Sequence, residues 1–456
     1  MLEALHKFFE VFGAATVVPA MIFIVSLFLK VNPRRAFFSA LRAGVGLTGF
    51  GWIISAFAPM VTKYIQQMVK TTGLHLPIVD IGWQAGSLTA FSSEIGLSFF
   101  VFGLLIELGL FLLGITRVFV PSNLWNNFGY MIWGTMAYAA TGNFILSFAF
   151  MVFVLLYSLV MSEVLADRWS EYYGVKNATI NSIHNIETLI PALILDPLWN
   201  LLGVNKVKLN PESLKTKLGI FGEPMTLGFA VALAAVMTIF PLITGVFASA
   251  FAPLAEAVER NKKKESQAEQ GALDKKRWFI AVDDGVGFGD PATIIAGLIL
   301  VPIMVVISLI LPGNEALPVV DLIAIPFMIE AMIAVSKGNI LKAILNGIIW
   351  FSLGLYAASA LGPIYTEAVK HFGTALPAGV TLIMSFNLLA HPLTALVFFA
   401  WISGNPLYIG VTVVIYLAFL FLLRTHRESI YAYLKTMADK NSGYEGSCEK
   451  IFIAED

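Results

Sequence analysis

The chain has 456 residues, of which 58 % are hydrophobic and only 13 % charged, and its formal net charge is −1. Soluble domains carry about 25 % charged residues, so this balance excludes a soluble enzyme, and near-neutrality excludes bulk electrostatic attraction to nucleic acid. The single cysteine, Cys448, excludes a disulfide framework and any cysteine-built metal centre.

Taken in chain order, apolar runs of bilayer length predict spans near 12–29, 36–58, 95–115, 126–141 and 143–162. Further spans follow near 223–238, 240–255, 292–312, 319–336 and 340–361, with a last one near 405–423. The first is read as a retained helix, since Glu3 and His6 precede it and no small-residue cleavage site follows. Four stretches, 79–93, 179–202, 279–290 and 379–402, mix Gly, Pro, Asn, Asp or Ser with apolar residues. Irregular backbone survives in lipid only where protein buries it or a wet cavity lines it, so these are candidate re-entrant hairpins. The segment 256–277 carries both signs of charge and reads as a solvated loop.

The chain contains a repeat. Ser55-Ala56-Phe57-Ala58-Pro59 recurs as Ser249-Ala250-Phe251-Ala252-Pro253, and Val79-Asp80-Ile81-Gly82 as Val282-Asp283-Asp284-Gly285. Gly142-Asn143 is matched by Gly338-Asn339, and Asn185 with Pro191 by Asn387 with Pro392, in the same order. The expectation is an all-α polytopic membrane protein of about 11 spans, built as two repeats with hairpins. The first repeat covers 1–202 and the second 203–402, and 403–456 holds the last span and a basic tail. Five spans per copy require the halves to be inverted. Lys30, Arg34, Arg35 and Arg117 are matched by non-basic turns in the second copy. The loop holding Arg260, Lys262, Lys263, Lys264, Lys275, Lys276 and Arg277 is matched by one with only Lys63 and Lys70. Positive charge marks the cytoplasmic side, which puts the N-terminus outside and the tail with Arg424, Arg427 and Lys435 inside.

Carboxylates at mid-membrane cost about 2.5–3.5 kcal/mol on insertion scales. Asp80 and Asp283, read as equivalents in the two copies, are therefore either acceptors for substrate hydroxyls or caps on re-entrant helices. Neighbouring glycines, Gly82 among them, allow close backbone approach either way. His184, with Asn181, Asn185 and Glu187 around it, reads as a site rather than a buried core histidine. His184 or Glu187 would be the general base, and the sequence leaves that choice open. Trp83, Gln84 and Tyr130 are weaker candidates, because an intramembrane aromatic is more often packing or an interfacial anchor. Glu223 and Asp321 are further intramembrane acids, for which the alternative is structural pairing with a Lys or a helix N-terminus, the favoured reading for Glu223; Cys448 reads as incidental. No P-loop, zinc spacing or catalytic triad stands out, so no metal or cofactor is expected.

Ile78-Val79-Asp80-Ile81-Gly82-Trp83, Val204-Asn205-Lys206-Val207-Lys208 with Phe221-Gly222-Glu223-Pro224, and Pro312-Gly313-Asn314 through Leu317-Pro318 to Asp321 resemble one family. It is the galactitol-type IIC permeases of the bacterial phosphoenolpyruvate-dependent phosphotransferase system, and the likeness runs along nearly the whole chain. Ascorbate-type IIC permeases look like more distant relatives. The resemblance implies a homodimer in the bacterial cytoplasmic membrane, with a static dimerising domain and a mobile core, each built from both repeats, working like an elevator. It implies a polyol substrate and a cytoplasmic IIB partner phosphorylated on cysteine, fed by IIA, HPr and enzyme I, with no phosphorylated residue on this chain. By similarity, substrate contacts would fall at Asp80 to Gly82, near Tyr130, at His184 and Asn185, and at Asp283. The chain departs where galactitol members follow the histidine with Gly-Thr-Ser (here Asn185-Ile186-Glu187) and carry an acid in place of Asn387.

A neutral polyol sheds water on entry, so the pocket must return its hydrogen bonds. Asp80, Asp283, Asn185, Asn387 and His184 are suited to this and are expected to converge near the midplane from the two halves. The rival reading is an ion-coupled secondary transporter for a polyol or sugar, in which the same acids bind Na⁺ or H⁺. It would depend on an ion gradient, and the first reading on a phosphorylated cytoplasmic protein.

Overall fold

The computed structural model describes residues 14–46, 76–209, 278–372 and 380–441, scattered positions in 48–52 and 239–260, and Leu376. The expected span 223–238, the Ser55-to-Pro59 motif, Glu223 and Cys448 lie outside the described residues. So do seven of the sixteen residues of 240–255 and nearly all of the loop 256–277.

The first half gives α1 (Ala14–Phe28), β1 (Ile78–Asp80), α2 (Trp83–Ser92), α3 (Glu94–Leu112) and β2 (Val118–Phe119). A 3-10 segment Val120–Asn127 leads to α4 (Phe128–Thr141), α5 (Phe144–Tyr173), β3 (Ala178–Thr179), the one-turn α6 (Ile183–Ile186) and α7 (Leu189–Leu201). The second half gives β4 (Phe279–Ala281), a 3-10 segment Asp284–Gly289, α8 (Pro291–Ile310), β5 (Ala316–Leu317) and a 3-10 segment Asp321–Ala324. Then come α9 (Ile325–Met328), α10 (Glu330–Val335), α11 (Ile340–Phe372), β6 (Leu382–Met384), α12 (Phe386–Leu389), α13 (Pro392–Ile402) and α14 (Pro406–Asp439). Among the described residues, five helices (α3, α5, α8, α11 and α14) are long and apolar enough to cross a membrane.

Helix boundaries follow local chemistry. Asn143 accepts the N–H of Leu146 at 3.0 Å to open α5, after Gly142 ends α4 in the left-handed region at φ +63°. Asp290 accepts both the N–H and the hydroxyl of Thr293 at 2.8 Å, with Pro291 at the first position of α8. Such caps satisfy donors that lipid cannot. The expected continuous span 319–336 is not formed. It is split into a 3-10 turn and two short helices, with a break at Ile329 (φ −114°, ψ 4°).

An all-α expectation is also corrected. The four candidate hairpin stretches each carry a two- or three-residue strand at or next to their start, and these pair in two small parallel sheets. One has the order β5-β1-β6, the other β2-β4-β3. Each central strand therefore belongs to one half of the chain and both its neighbours to the other. The pairing satisfies backbone groups that the broken helices would otherwise leave unpaired in an apolar interior.

The ladder register revises the equivalence of Asp80 and Asp283. Ile78 N–H donates to Glu315 O at 3.1 Å, and Phe279 N–H to Arg117 O at 2.7 Å. Ile81 N–H donates to Met384 O, and Val282 N–H to Thr179 O. Ile78 thus matches Phe279, Asp80 matches Ala281, and Asp283 matches Gly82. What recurs is a local turn, a carboxylate accepting the N–H two residues on (Gly82, 3.0 Å; Gly285, 2.9 Å), placed two residues later in the second half.

A polar seam joins α7 to α11. Lys342 and Asp196 are both fully buried, with Nζ 3.6 Å from Oδ2. Lys342 donates to Asn200 Oδ1 at 2.5 Å, Asn346 Nδ2 to Asp196 Oδ1 at 2.9 Å, and Trp199 Nε1 to Asn346 Oδ1 at 2.6 Å. Removing one charge of such a pair leaves the other uncompensated.

Candidate functional site

The polar residues gather beyond the ends of the two sheets. At the first, both oxygens of Asp80 are taken by backbone. Oδ1 accepts from Gly82 (3.0 Å) and Phe386 (3.4 Å), and Oδ2 from Val319 (3.1 Å) and Asp321 (2.7 Å). Asp321 in turn accepts the N–H of Trp83 at 2.8 Å and of Asn387 at 3.1 Å, and the Ser385 hydroxyl at 2.5 Å. The two carboxylates fasten the turns after β1, β5 and β6 to one another, so the capping reading describes both. Gly82 sits at φ +90°, and a Cβ there would lie 2.6 Å from Gln84 Oε1 and 2.9 Å from Val320 Cγ1. Only glycine fits this turn.

Beyond the second sheet, Asp283 accepts one N–H, that of Gly285 on Oδ1. Its neighbour Asp284 pairs with His184 Nε2 and accepts from the Ser182 hydroxyl (3.2 Å) and Asn126 Nδ2 (3.4 Å). Asn123 donates to Asn181 Oδ1 at 2.9 Å and to the Val282 carbonyl at 3.1 Å. Tyr130 donates its hydroxyl to Asn181 O at 2.9 Å and also contacts Ser158 Oγ at 2.8 Å, which fixes the turn carrying His184. Behind this group, the Glu330 side chain packs on Gly287 and accepts Trp169 Nε1 at 3.0 Å.

Glu187 is spent differently from His184. Its carboxylate accepts the backbone N–H groups of Thr394 (2.8 Å) and Leu393 (3.3 Å), the Tyr157 hydroxyl (3.3 Å) and the Thr394 hydroxyl. It caps α13 and ties the two hairpins together. Asn185 accepts the Ala331 N–H on Oδ1 at 3.0 Å, while its Nδ2 is buried without a partner, as is Asn387 Oδ1. Such orphaned amide atoms are costly unless a ligand or water meets them. Trp83 is half-buried with its ring 5.6 Å from Phe128 at the start of α4, Ile81 is half-buried, and Gln84 is exposed.

The structure thus brings His184, Asp283 and the acceptor network of Asn181 and Tyr130 together at the second sheet. Asp80, Ile81, Gly82, Trp83, Gln84 and Asn387 gather at the first. Asp284, Asn123 and Asn126 were missed by sequence reasoning. The available signal was the adjacent acid pair Asp283-Asp284 in an apolar setting, where one member needs a counter-charge.

The family model for the PTS system sugar-specific permease component matches residues 7–233 and 226–379. The PTS system galactitol-specific EIIC component of Escherichia coli K12 is 26 % identical over 404 residues, covering 83 % of this chain and 87 % of that protein, and the O157:H7 protein of the same name matches equally. A putative permease IIC component of E. coli K12 is 23 % identical over 376 residues, covering 78 % of this chain and 84 % of its own. The match spans most of the chain, and the long apolar helices fit a multi-pass membrane protein. This chain belongs to the sugar-specific permease components of the PTS, the EIIC-GAT family.

Proposed function

We propose that this permease takes up a sugar alcohol, galactitol or a close relative, and presents it to a cytoplasmic IIB subunit phosphorylated on cysteine and fed by IIA, HPr and enzyme I. The name of the galactitol-specific relatives supports the substrate class. The observation that carries the site is the contrast between the two aspartates. Asp80 has both oxygens filled by four backbone donors, whereas Asp283 accepts one backbone N–H and otherwise meets only the neighbouring Asp284 carboxyl, so it keeps acceptor capacity. Substrate hydroxyls then meet Asp283, Asn185 Nδ2 and Asn387 Oδ1, with Trp83 against the C–H face of the polyol and Ile81, Gly82, Gln84 and Tyr130 shaping the surroundings.

His184 is the general base rather than Glu187, whose oxygens already hold α13. With Nε2–H directed at Asp284, Nδ1 accepts the proton of the attacking hydroxyl. That oxygen forms the new bond to phosphorus, the P–S bond to the partner's cysteine breaks, and the electron pair leaves on sulfur as thiolate. The sugar phosphate carries up to two negative charges, and Asp283 and Asp284 repel it toward the cytoplasm.

Strand exchange between the two sheets suits two halves in inverted orientation. The N-terminus outside and the C-terminus inside are supported by grouped basic loops. Arg260 donates to Lys30 O at 2.9 Å, and Arg117 and Arg427 share Glu163. A homodimer with an elevator-like core is the family expectation carried over.

Membranes supplied with labelled galactitol and the complete phosphoryl relay are expected to form a galactitol phosphate. Uptake that needs an ion gradient and no relay would overturn the proposal. His184→Ala is expected to lower phosphorylation by about 10²–10⁴-fold, the usual contribution of a positioned base. Full phosphorylation in that variant, with only translocation impaired, would remove His184 from the chemistry.

A further inference from the structure

A second polar centre lies away from the sugar site, where α14 breaks at His426 (φ −124°, ψ 23°). Arg427 Nη2 pairs with Glu163 Oε1, Arg117 Nε lies 3.9 Å from the same oxygen, and the Arg117 N–H donates to Oε2 at 3.3 Å. Arg424, exposed, donates to the carbonyls of Gly114 (3.2 Å) and Ile115 just past the end of α3. Tyr431 donates to Glu163 O at 3.0 Å, and Asp167, half-buried one turn along α5, is the other acid that acts on Tyr431. Arg117 and Arg427 therefore share one carboxylate, with Arg424 close enough to act on Arg117. Arg427 Nε is buried with no hydrogen-bond partner, and the Arg427 side chain is only 10 % exposed. Burial and the neighbouring Arg427 and Arg424 push the Arg117 guanidinium down, against Glu163.

The surroundings of this cationic centre are apolar. Little of the membrane stretch of α14 is buried (11 %), and Leu417, Phe419, Phe421 and Leu422 on the turns before Arg424 are exposed. Trp278, next to the strand whose Phe279 N–H donates to the Arg117 carbonyl, packs edge-to-face with Phe111 and Phe119, the kind of aromatic group that sits at headgroup level.

We infer that Arg117, Arg424 and Arg427 bind the headgroup phosphate of an anionic phospholipid whose acyl chains lie along the exposed apolar face of α14. Basic pockets beside membrane helices recognise anionic headgroups in this way, and guanidinium groups match phosphate oxygens bidentately. Exposed Arg424 is the guanidinium that the phosphate meets first, with the Arg427 side chain, 10 % exposed, behind it.

The test uses the purified permease in detergent, with its melting temperature followed on addition of phosphatidylglycerol, phosphatidylcholine or inorganic phosphate. Phosphatidylglycerol is expected to raise the melting temperature, and the other two to leave it in place. Arg424→Gln, which touches only exposed carbonyls, is expected to keep the lipid-free melting temperature and to need about fivefold more phosphatidylglycerol for the same shift, the ~1 kcal/mol carried by one basic residue at an anionic surface. Arg427→Gln is expected to weaken the response further. Equal shifts with both lipids, an equal shift with inorganic phosphate, or an undiminished response in Arg424→Gln would each overturn the assignment.

Discussion

Asp80→Asn is expected to lower the yield and melting temperature of the permease far more than it changes sugar affinity in the protein that survives. Each Asp80 oxygen accepts two backbone N–H groups, from Gly82 and Phe386 and from Val319 and Asp321. Asparagine keeps one acceptor and turns an NH₂ group toward the two donors at the other. Hydrogen bonds to a charged group contribute about 1.5–3 kcal/mol each, so losing two of them takes a large share of a typical stability of ~5–15 kcal/mol. Melting of the detergent-solubilised variant checks this. An unchanged melting temperature with lost galactitol binding would make Asp80 a substrate ligand instead.

A comparable loss is expected for Lys342→Met, and the accompanying rescue makes it diagnostic. The single change strands Asp196 in a fully buried position beside Asn346 and Asn200, and breaking a buried pair on one side costs about 3–5 kcal/mol. Lys342→Met combined with Asp196→Leu removes both charges, and replacing a buried pair with apolar residues is often neutral. The double variant should therefore regain most of the melting temperature, although Asn200 and Asn346 each lose a partner. The functional consequence follows from the seam's position, since α7 continues directly from the turn bearing His184 and Asn185. Melting and uptake should fall together in the single variant and recover together in the double. A single variant as stable as the wild type would show that α7 is held on α11 by apolar packing alone.

Much of the helical frame was legible because hydropathy sums over many residues. The expected spans 95–115, 126–141, 292–312 and 340–361 correspond to α3, α4, α8 and α11, with α11 continuing to Phe372. The same summation hid the break in 319–336. Ile329 is apolar and neither glycine nor proline, and its neighbours leave the mean hydropathy high. Strands of two or three residues are too short to show a period of two, and their partners lie in the other half of the chain, so both sheets were invisible. The Asp-x-Gly turn was read correctly as recurring, but the ladder register that separates Asp80 from Asp283 depends on contacts with Glu315 and Arg117. Asp284 was missed for a related reason, since its partner His184 is a hundred positions earlier. Charge cost in the membrane pointed to Asp80, Asp283 and Asp321 alike. Only the count of donors on each oxygen distinguishes a carboxylate that holds backbone from one with capacity to spare.

The most direct measurement is equilibrium binding of labelled galactitol to the purified permease without the phosphoryl relay, in wild type and Asp283→Asn. Asp283 accepts a single N–H, so the variant should fold and melt as the wild type does. It should bind the polyol about tenfold or more weakly, in line with ~1.5–3 kcal/mol for a hydrogen bond to a charged acceptor. Unchanged affinity in Asp283→Asn at an unchanged melting temperature would place the sugar elsewhere and contradict the account.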